Sequence, residues 1–266
     1  MSTTTRRRPG IDPRLRARRI EVRREEGRRR LRRLTVLAGV VGAVALAFAV
    51  TRSPLLDVDR VDVAGVRHTP PEVVRDAAGL ERGDALLYAD LRAARRAVER
   101  LPWVAEARLS RHWPGTVRIA IDERIAAGAV PADGGGWVLA DGDGRLLEYV
   151  EELPAGLVRL DGVASVPAGP PGHGALAGDD ARRLLGVAAR LPAALRPAVA
   201  SASMGADGIE LGLALPDGVA ATVRFGPPEL VEEKLLALAA LLSGADLAGA
   251  TSIDVRVPSV PVVARG

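Results

Sequence analysis

From Leu34 to Thr51 the chain runs eighteen residues without a charge, bracketed by Arg33 and Arg52. At ~1.5 Å rise per residue a helix of that length reaches about 27 Å, close to the thickness of a hydrocarbon core, so the segment predicts a transmembrane helix. Beyond it the pattern breaks into short runs. Val61 and Val63 alternate with Arg60 and Asp62 as a strand. Thr69-Pro70-Pro71-Glu72 predicts a helix start, with Thr69 as cap, Pro70 in the first turn and Glu72 closing a capping box; Gly79 stops it. A second helix begins at Asp90 and sets Leu91, Ala94, Val98 and Leu101 on one face before Pro102. Ala105, Ala107 and Leu109 then alternate, Trp113-Pro114-Gly115 turns, and Val117, Ile119 and Ile121 alternate back. The order is β-α-α-β-β. At the helix–strand junction, Trp103 is placed to lock the second helix onto this sheet.

The rest of the chain predicts a second module. Trp137 to Ala140 and Leu146 to Tyr149 are strands around an Asp141-Gly142-Asp143-Gly144 turn. Val163 to Gly178 is a Gly- and Pro-rich connection without periodicity, after which Asp179 or Asp180 caps a helix carrying Leu184, Ala188 and Leu191. Ile209 to Leu215 and Val219 to Phe225 alternate about Pro216-Asp217-Gly218, the clearest hairpin in the chain. Pro227-Pro228 opens a helix striped by Val231, Leu235, Leu238 and Leu242, and a last strand, Ile253 to Val257, is cut short at Pro258. The fold class expected is α+β: one transmembrane helix, the β-α-α-β-β domain, and a second mixed α/β domain with an antiparallel sheet. The boundaries expected are a tail at 1–33, the span at 34–51, the first domain at 55–125, the second at 126–258 and a C-terminal tail at 259–266.

Charge decides which side is which. The first 33 residues hold fourteen Arg against four acids, whereas the remaining chain is net −6, so the high pI describes the leader alone. Eleven Arg lie in the twenty residues before the apolar segment and three in the twenty after it. The amino end is therefore expected in the cytoplasm and the carboxyl end outside, a single-pass type II arrangement. Ala47-Phe48-Ala49 resembles a signal-peptidase site, yet apolar character continues through Val50 and a 33-residue leader is long for a signal peptide, which favours a retained anchor.

No residue constellation points to chemistry. Zero Cys removes disulfides, thiolate metal sites and thiol nucleophiles. His68, His112 and His173 have no metal-ligand spacing. Ser110 and His112 flank a hairpin turn and are not expected to meet as a nucleophile and base. Asp141, Asp143 and Glu152 fit three positions of a calcium loop, but Arg145 and Leu146 occupy positions that the loop cannot spare. Gly134-Gly135-Gly136 lacks the Lys and helix of a phosphate loop and reads as a flexible junction. Asp122-Glu123-Arg124 reads as a solvated strand end. The expectation is no enzyme, no catalytic or metal residue, no cofactor and no small-molecule substrate.

Three stretches carry a family resemblance: "LLDVDRVDVAGVRHTPPEVV", "LPWVAEARLSRHWPGTVRIAIDER" and the apolar segment upstream. They resemble the POTRA domain and anchor of the FtsQ/DivIB bacterial cell-division proteins. The helix with Lys234, the Ile253-Asp254-Val255-Arg256 strand and the Pro258–Pro261 tail are similar to the end of that family's β domain. The resemblance implies a non-enzymatic scaffold at the division septum, anchored in the lipid bilayer, that links early and late septal proteins. Its implied partners are FtsB/DivIC-like and FtsL-like single-pass proteins and FtsW- and FtsI-like septal synthases. The implied partner-binding residues are Ile253, Asp254, Val255, Arg256, Val257 and Lys234. Pro258 and Pro261 cannot donate ladder bonds, which places Ile253 to Val257 at or near a sheet edge open to strand addition. Two other readings compete. A POTRA-containing envelope protein that handles exported clients would need a long barrel downstream, and nothing after Ala126 is long enough. Nucleic-acid binding by the leader lacks aromatic residues for stacking, so no nucleic-acid partner is expected.

Overall fold

Alternation of Val117, Ile119 and Ile121 with polar neighbours makes one face of a central strand apolar, and two short helices cover that face. The computed structural model describes residues 32–46, 48, 57–214, 220–244, 247 and 249–265. The first module comprises β1 (Arg60–Ala64), α1 (Pro71–Ala78), α2 (Leu91–Val98), β2 (Val104–His112) and β3 (Thr116–Glu123). The sheet order is β1-β3-β2, with β1 parallel to β3 and β2 antiparallel to it. Val74, Val98, Val117 and Ile119 sit fully buried between helices and sheet. Gly65 ends β1 at φ +89°, and a Cβ there would collide with the Ile121 carbonyl, so only glycine lets the chain leave the sheet at this point.

The helix starts differ from expectation in their caps. Pro70, not Thr69, is the N-cap of α1, and the Thr69 hydroxyl is buried without a partner. Asp90 caps α2 as expected, accepting from the Arg92 and Ala93 amides at 3.0 Å each. The third helix, α3 (Asp179–Ala189), is preceded by Gly178, so Asp179 and Asp180 lie in its first turn, where acidic groups complement the helix dipole.

The second module is one large sheet. Its strands are β4 (Ala126–Pro131), β5 (Trp137–Asp141), β6 (Leu146–Val150), β7 (Val158–Asp161), β8 (Val199–Gly205), β9 (Gly208–Ala214), β10 (Ala220–Gly226), β11 (Ala250–Asp254) and β12 (Val262–Arg265). Their order is β12-β11-β10-β9-β8-β7-β4-β5-β6. The sheet is mixed rather than antiparallel, because α3 connects β7 to parallel β8 and α4 (Val231–Gly244) connects β10 to parallel β11. A further parallel pair joins β4 to β7. Leu184, Leu185, Leu235 and Leu238 of the two helices meet Ile209, Leu211, Val223 and Phe225 of the sheet in the main core. Residues expected to form a C-terminal tail include β12, which pairs with β11 from Ala250↔Arg265 to Asp254↔Val262.

Residues 32–46 and 48 are helical and exposed. Among the described residues no helix is long and apolar enough to cross a membrane. The expected span, 34–51, includes positions outside those described, as does nearly all of the expected tail at 1–33.

Candidate functional site

Two places concentrate unusual chemistry: the C-terminal edge of the large sheet and the junction between modules. At the edge, β11 lies one strand in, flanked by β10 and β12, so the stretch expected at or near an edge is near it but is not itself open to strand addition. The strand itself stops at Asp254. Ile253 and Val255 are fully buried in the core, and the Val255 amide donates to the Arg224 carbonyl at 3.1 Å. Arg256 and Val257 are exposed, and Asp254 is half-buried between Ile253 and Val255. Arg256 Nη2 meets Asp254 Oδ2 at 2.7 Å and its Nη1 meets Asp207 Oδ2 at 3.0 Å. These bonds to Arg256 hold the Asp254 carboxyl below its ordinary range.

Lys234 is likewise not a surface residue. It is 2% exposed, donates from Nζ to the Pro227 carbonyl at 2.7 Å and stands 5.1 Å above the Phe225 ring. Burial pushes its ammonium below the ordinary lysine value, and the Glu229 charge opposes that shift. Its work is to close the turn that leads from β10 into α4. Lys234→Ala strands the Pro227 carbonyl beside Phe225 and is expected to cost about 1–3 kcal/mol, seen as a lower thermal midpoint.

The outer edge therefore belongs to β12, a strand with no expected role. Beside it Val257, Val260 and Val262 are 58%, 65% and 56% exposed, an apolar strip along an edge that has β11 on one side only.

At the junction, Trp103 follows α2 but joins Ala129, Leu139 and Leu147 of the large sheet in a cluster of its own. It locks the two modules together rather than helix to sheet within the first. The His68 ring stacks on Trp103 at 4.0 Å and 6°. Glu123, expected to be solvated, has a side chain only 7% exposed and accepts from the His68 and Thr69 amides and from His68 Nδ1 at 3.0 Å. Burial alone would raise its pKa; the Thr69, Arg67 and His68 amides and the His68 ring lower it to about 2. Arg124 Nη1 meets Asp141 Oδ2 of the large sheet at 2.6 Å, and Arg145 Nη2 reaches back to the Arg100 carbonyl at 3.1 Å. Asp141 Oδ1 meanwhile accepts from the Asp143 and Arg145 amides, which gives this carboxylate a turn-closing role. A groove of about 360 Å³ lies beside the stack, lined by Thr69, Val73, Leu147 and Tyr149.

Ser110 Oγ and His112 Nε2 do meet, at 3.1 Å, because residues two apart on a strand share a face. The pair is exposed, and no carboxylate is bonded to His112 among the described residues. Among those residues no group of three His, Asp or Glu side chains is placed to hold a metal ion.

Comparison with known proteins bears on the whole chain. Residues 56–124 match the family model described as POTRA domain, FtsQ-type. Cell division protein FtsQ of Streptomyces collinus is 31% identical over 243 residues, covering 90% of each chain. The chain belongs to the FtsQ family of cell-division proteins. FtsQ of Streptomyces bingchenggensis is 30% identical over 90% of each chain, and FtsQ of Mycolicibacterium smegmatis is 33% identical over 83% of this chain and 61% of its own. The solved major extracytoplasmic domain of the division protein DivIB from Geobacillus stearothermophilus is 19% identical, covering 46% of this chain and 94% of its own with a TM-score of 0.30. Membership accounts for the POTRA module. Lys234, Ile253 and Val255, which the resemblance implied as partner-binding residues, are buried in this FtsQ family member.

Proposed function

We propose that the chain is a membrane-anchored, non-enzymatic scaffold of the division septum that links early to late septal proteins. The uncharged run from Leu34 to Thr51 and the excess of Arg before it support a type II anchor, with 1–33 cytoplasmic and the two modules, 55–125 and 126–258, exported. The observation that carries the scaffold reading is the open β12 edge with its exposed valines. The side of β12 away from β11 is where an added strand would pair, and Val257, Val260 and Val262 supply apolar contact. The partner that fits is a single-pass chain of the FtsB/DivIC type, together with its FtsL-like companion; FtsW- and FtsI-like synthases are reached through them. Arg256 and Asp254 at the end of β11 orient the same strip, while Ile253, Val255 and Lys234 support it from the core.

The test uses Val260→Asp with Val262→Asp in the full chain. Both side chains are exposed, so the thermal midpoint should stay put while capture of the FtsB-like partner from dividing cells falls at least about tenfold, the equivalent of one lost apolar contact. Unchanged capture by a folded variant would move the interface off this edge.

A further inference from the structure

The outer edges of the two sheets are not equally protected. On β1, Arg75 Nε donates to the Val61 carbonyl at 3.2 Å and Arg82 Nε to the Asp59 carbonyl at 3.0 Å, so side chains occupy its acceptors. On β6, the Leu146 amide donates to the Ala175 carbonyl at 3.0 Å and Arg145 bridges Leu176. The first module's longest strand, β2, has much less cover. Its Ala107 amide donates to Glu99 Oε1 at 3.5 Å, and this is the single contact on that side among the described residues. The bond shows which way Ala107 faces: its N–H points away from β3. Register with β3 is unbroken from Glu106 to His112, so the N–H and C=O groups of Leu109 and Arg111 point outward as well. The Arg111 side chain is out of their way, tied to the Leu86 and Ala89 carbonyls at 2.7 and 2.6 Å.

We propose that this edge pairs antiparallel with the same edge of a second copy, about a two-fold axis at Leu109, joining the two small sheets into one. In that register Leu109 faces Leu109 of the second copy and Ala107 faces its Arg111, which matches every outward-pointing backbone group to another. On the solvated face Glu106 comes opposite His112 and Arg108 opposite Ser110, so no like charges are directly opposed. Trp113, 54% exposed at the hairpin turn, comes alongside the exposed Ala105 of the second copy. Other axes are worse. One at Ala107 runs into the bulge between Val104 and Glu106, and one at Arg111 carries the pairing past the end of β2 at His112 after a single residue on each side. An isologous contact of this kind closes at two copies and leaves β12 free for its own partner.

The chain has no Cys, so introduced thiols report cleanly. Arg108→Cys and Ser110→Cys sit on exposed positions, where the first gives up only solvent-exposed ion pairs to Glu106 and Asp122, and in the proposed register they face each other about 4.5 Å apart between Cα atoms. Full chains carrying one or the other, with different tags and co-expressed in cells, should give a mixed covalent dimer on mild oxidation. Leu109→Cys should cross-link to itself at the axis. Adding Arg111→Pro to either design removes an outward N–H without touching the bonds to β3 and should cut the cross-linked fraction at least about tenfold relative to Arg111→Ala, which loses the same bonds to the Leu86 and Ala89 carbonyls but keeps that N–H. Glu99→Ala, which frees the Ala107 amide, should raise it. Monomers throughout, cross-linking to a different polypeptide, or a yield indifferent to Arg111→Pro would each overturn self-pairing.

Discussion

Trp103→Ala is expected to lower the stability of the two modules by about 3–5 kcal/mol, a fall in thermal midpoint of roughly 10 °C. The indole is 8% exposed and belongs to neither main core. Its removal leaves a void between Ala129, Leu139 and Leu147 and takes away the surface on which His68 stacks. Water entering that void would also weaken the Arg124–Asp141 pair, whose 2.6 Å contact lies at the same joint with side chains 21% and 8% exposed. The two modules should then separate in their unfolding. Calorimetry of the variant should show two transitions where the parent shows one, and trypsin should cut after Arg124 at a temperature where the parent resists. An unchanged single transition would mean that the polar contacts hold the joint without the indole.

Why this joint escapes a reading of the sequence is a matter of distance along the chain. Glu123 and Arg124 end a strand in a run of three charges, the usual mark of a solvated edge. Their partners are His68, 55 residues earlier, and Asp141, 17 residues later, and nothing local in composition signals either contact. By contrast β3, β9 and β10 are legible because apolar residues alternate along them, and burial follows that alternation; on β2 the bulge between Val104 and Glu106 leaves Ala105 exposed while Ala107 is buried. β4 and β8 lack that alternation. Residues 126–131 read AAGAVP and 199–205 read VASASMG, where small side chains let the backbone pack without a periodic signature. At β12 the four residues after Pro261 look like a tail, and only pairing with β11 makes them a strand. Lys234 misleads for the opposite reason. A lone cation among leucines looks like a surface contact, yet the exposed Pro227-Pro228 turn needs a donor for its carbonyl, and the lysine stem crosses the helix surface to supply one.

Replacing Glu123 by Gln should remove about 3 kcal/mol of stability at neutral pH and make the loss depend on acidity. The folded carboxyl titrates at about 2 against an ordinary value of 4.5. A folded pKa below the unfolded one means that ionised Glu123 stabilises the native state. That contribution is complete above about pH 4.5 and disappears as pH falls through about 2. The difference between parent and variant should thus be flat from neutrality down to about pH 4.5 and close progressively below it. Gln keeps the shape but loses the charge that gathers the amides of residues 67–69, and its own N–H₂ group faces donors rather than acceptors. Because those amides position His68 against Trp103, the variant should also lose the ring stack, which near-ultraviolet circular dichroism of the tryptophan would register even at neutral pH. A stability difference that stayed constant down to pH 2 would show that the carboxylate's charge contributes nothing and that Glu123 acts through shape alone.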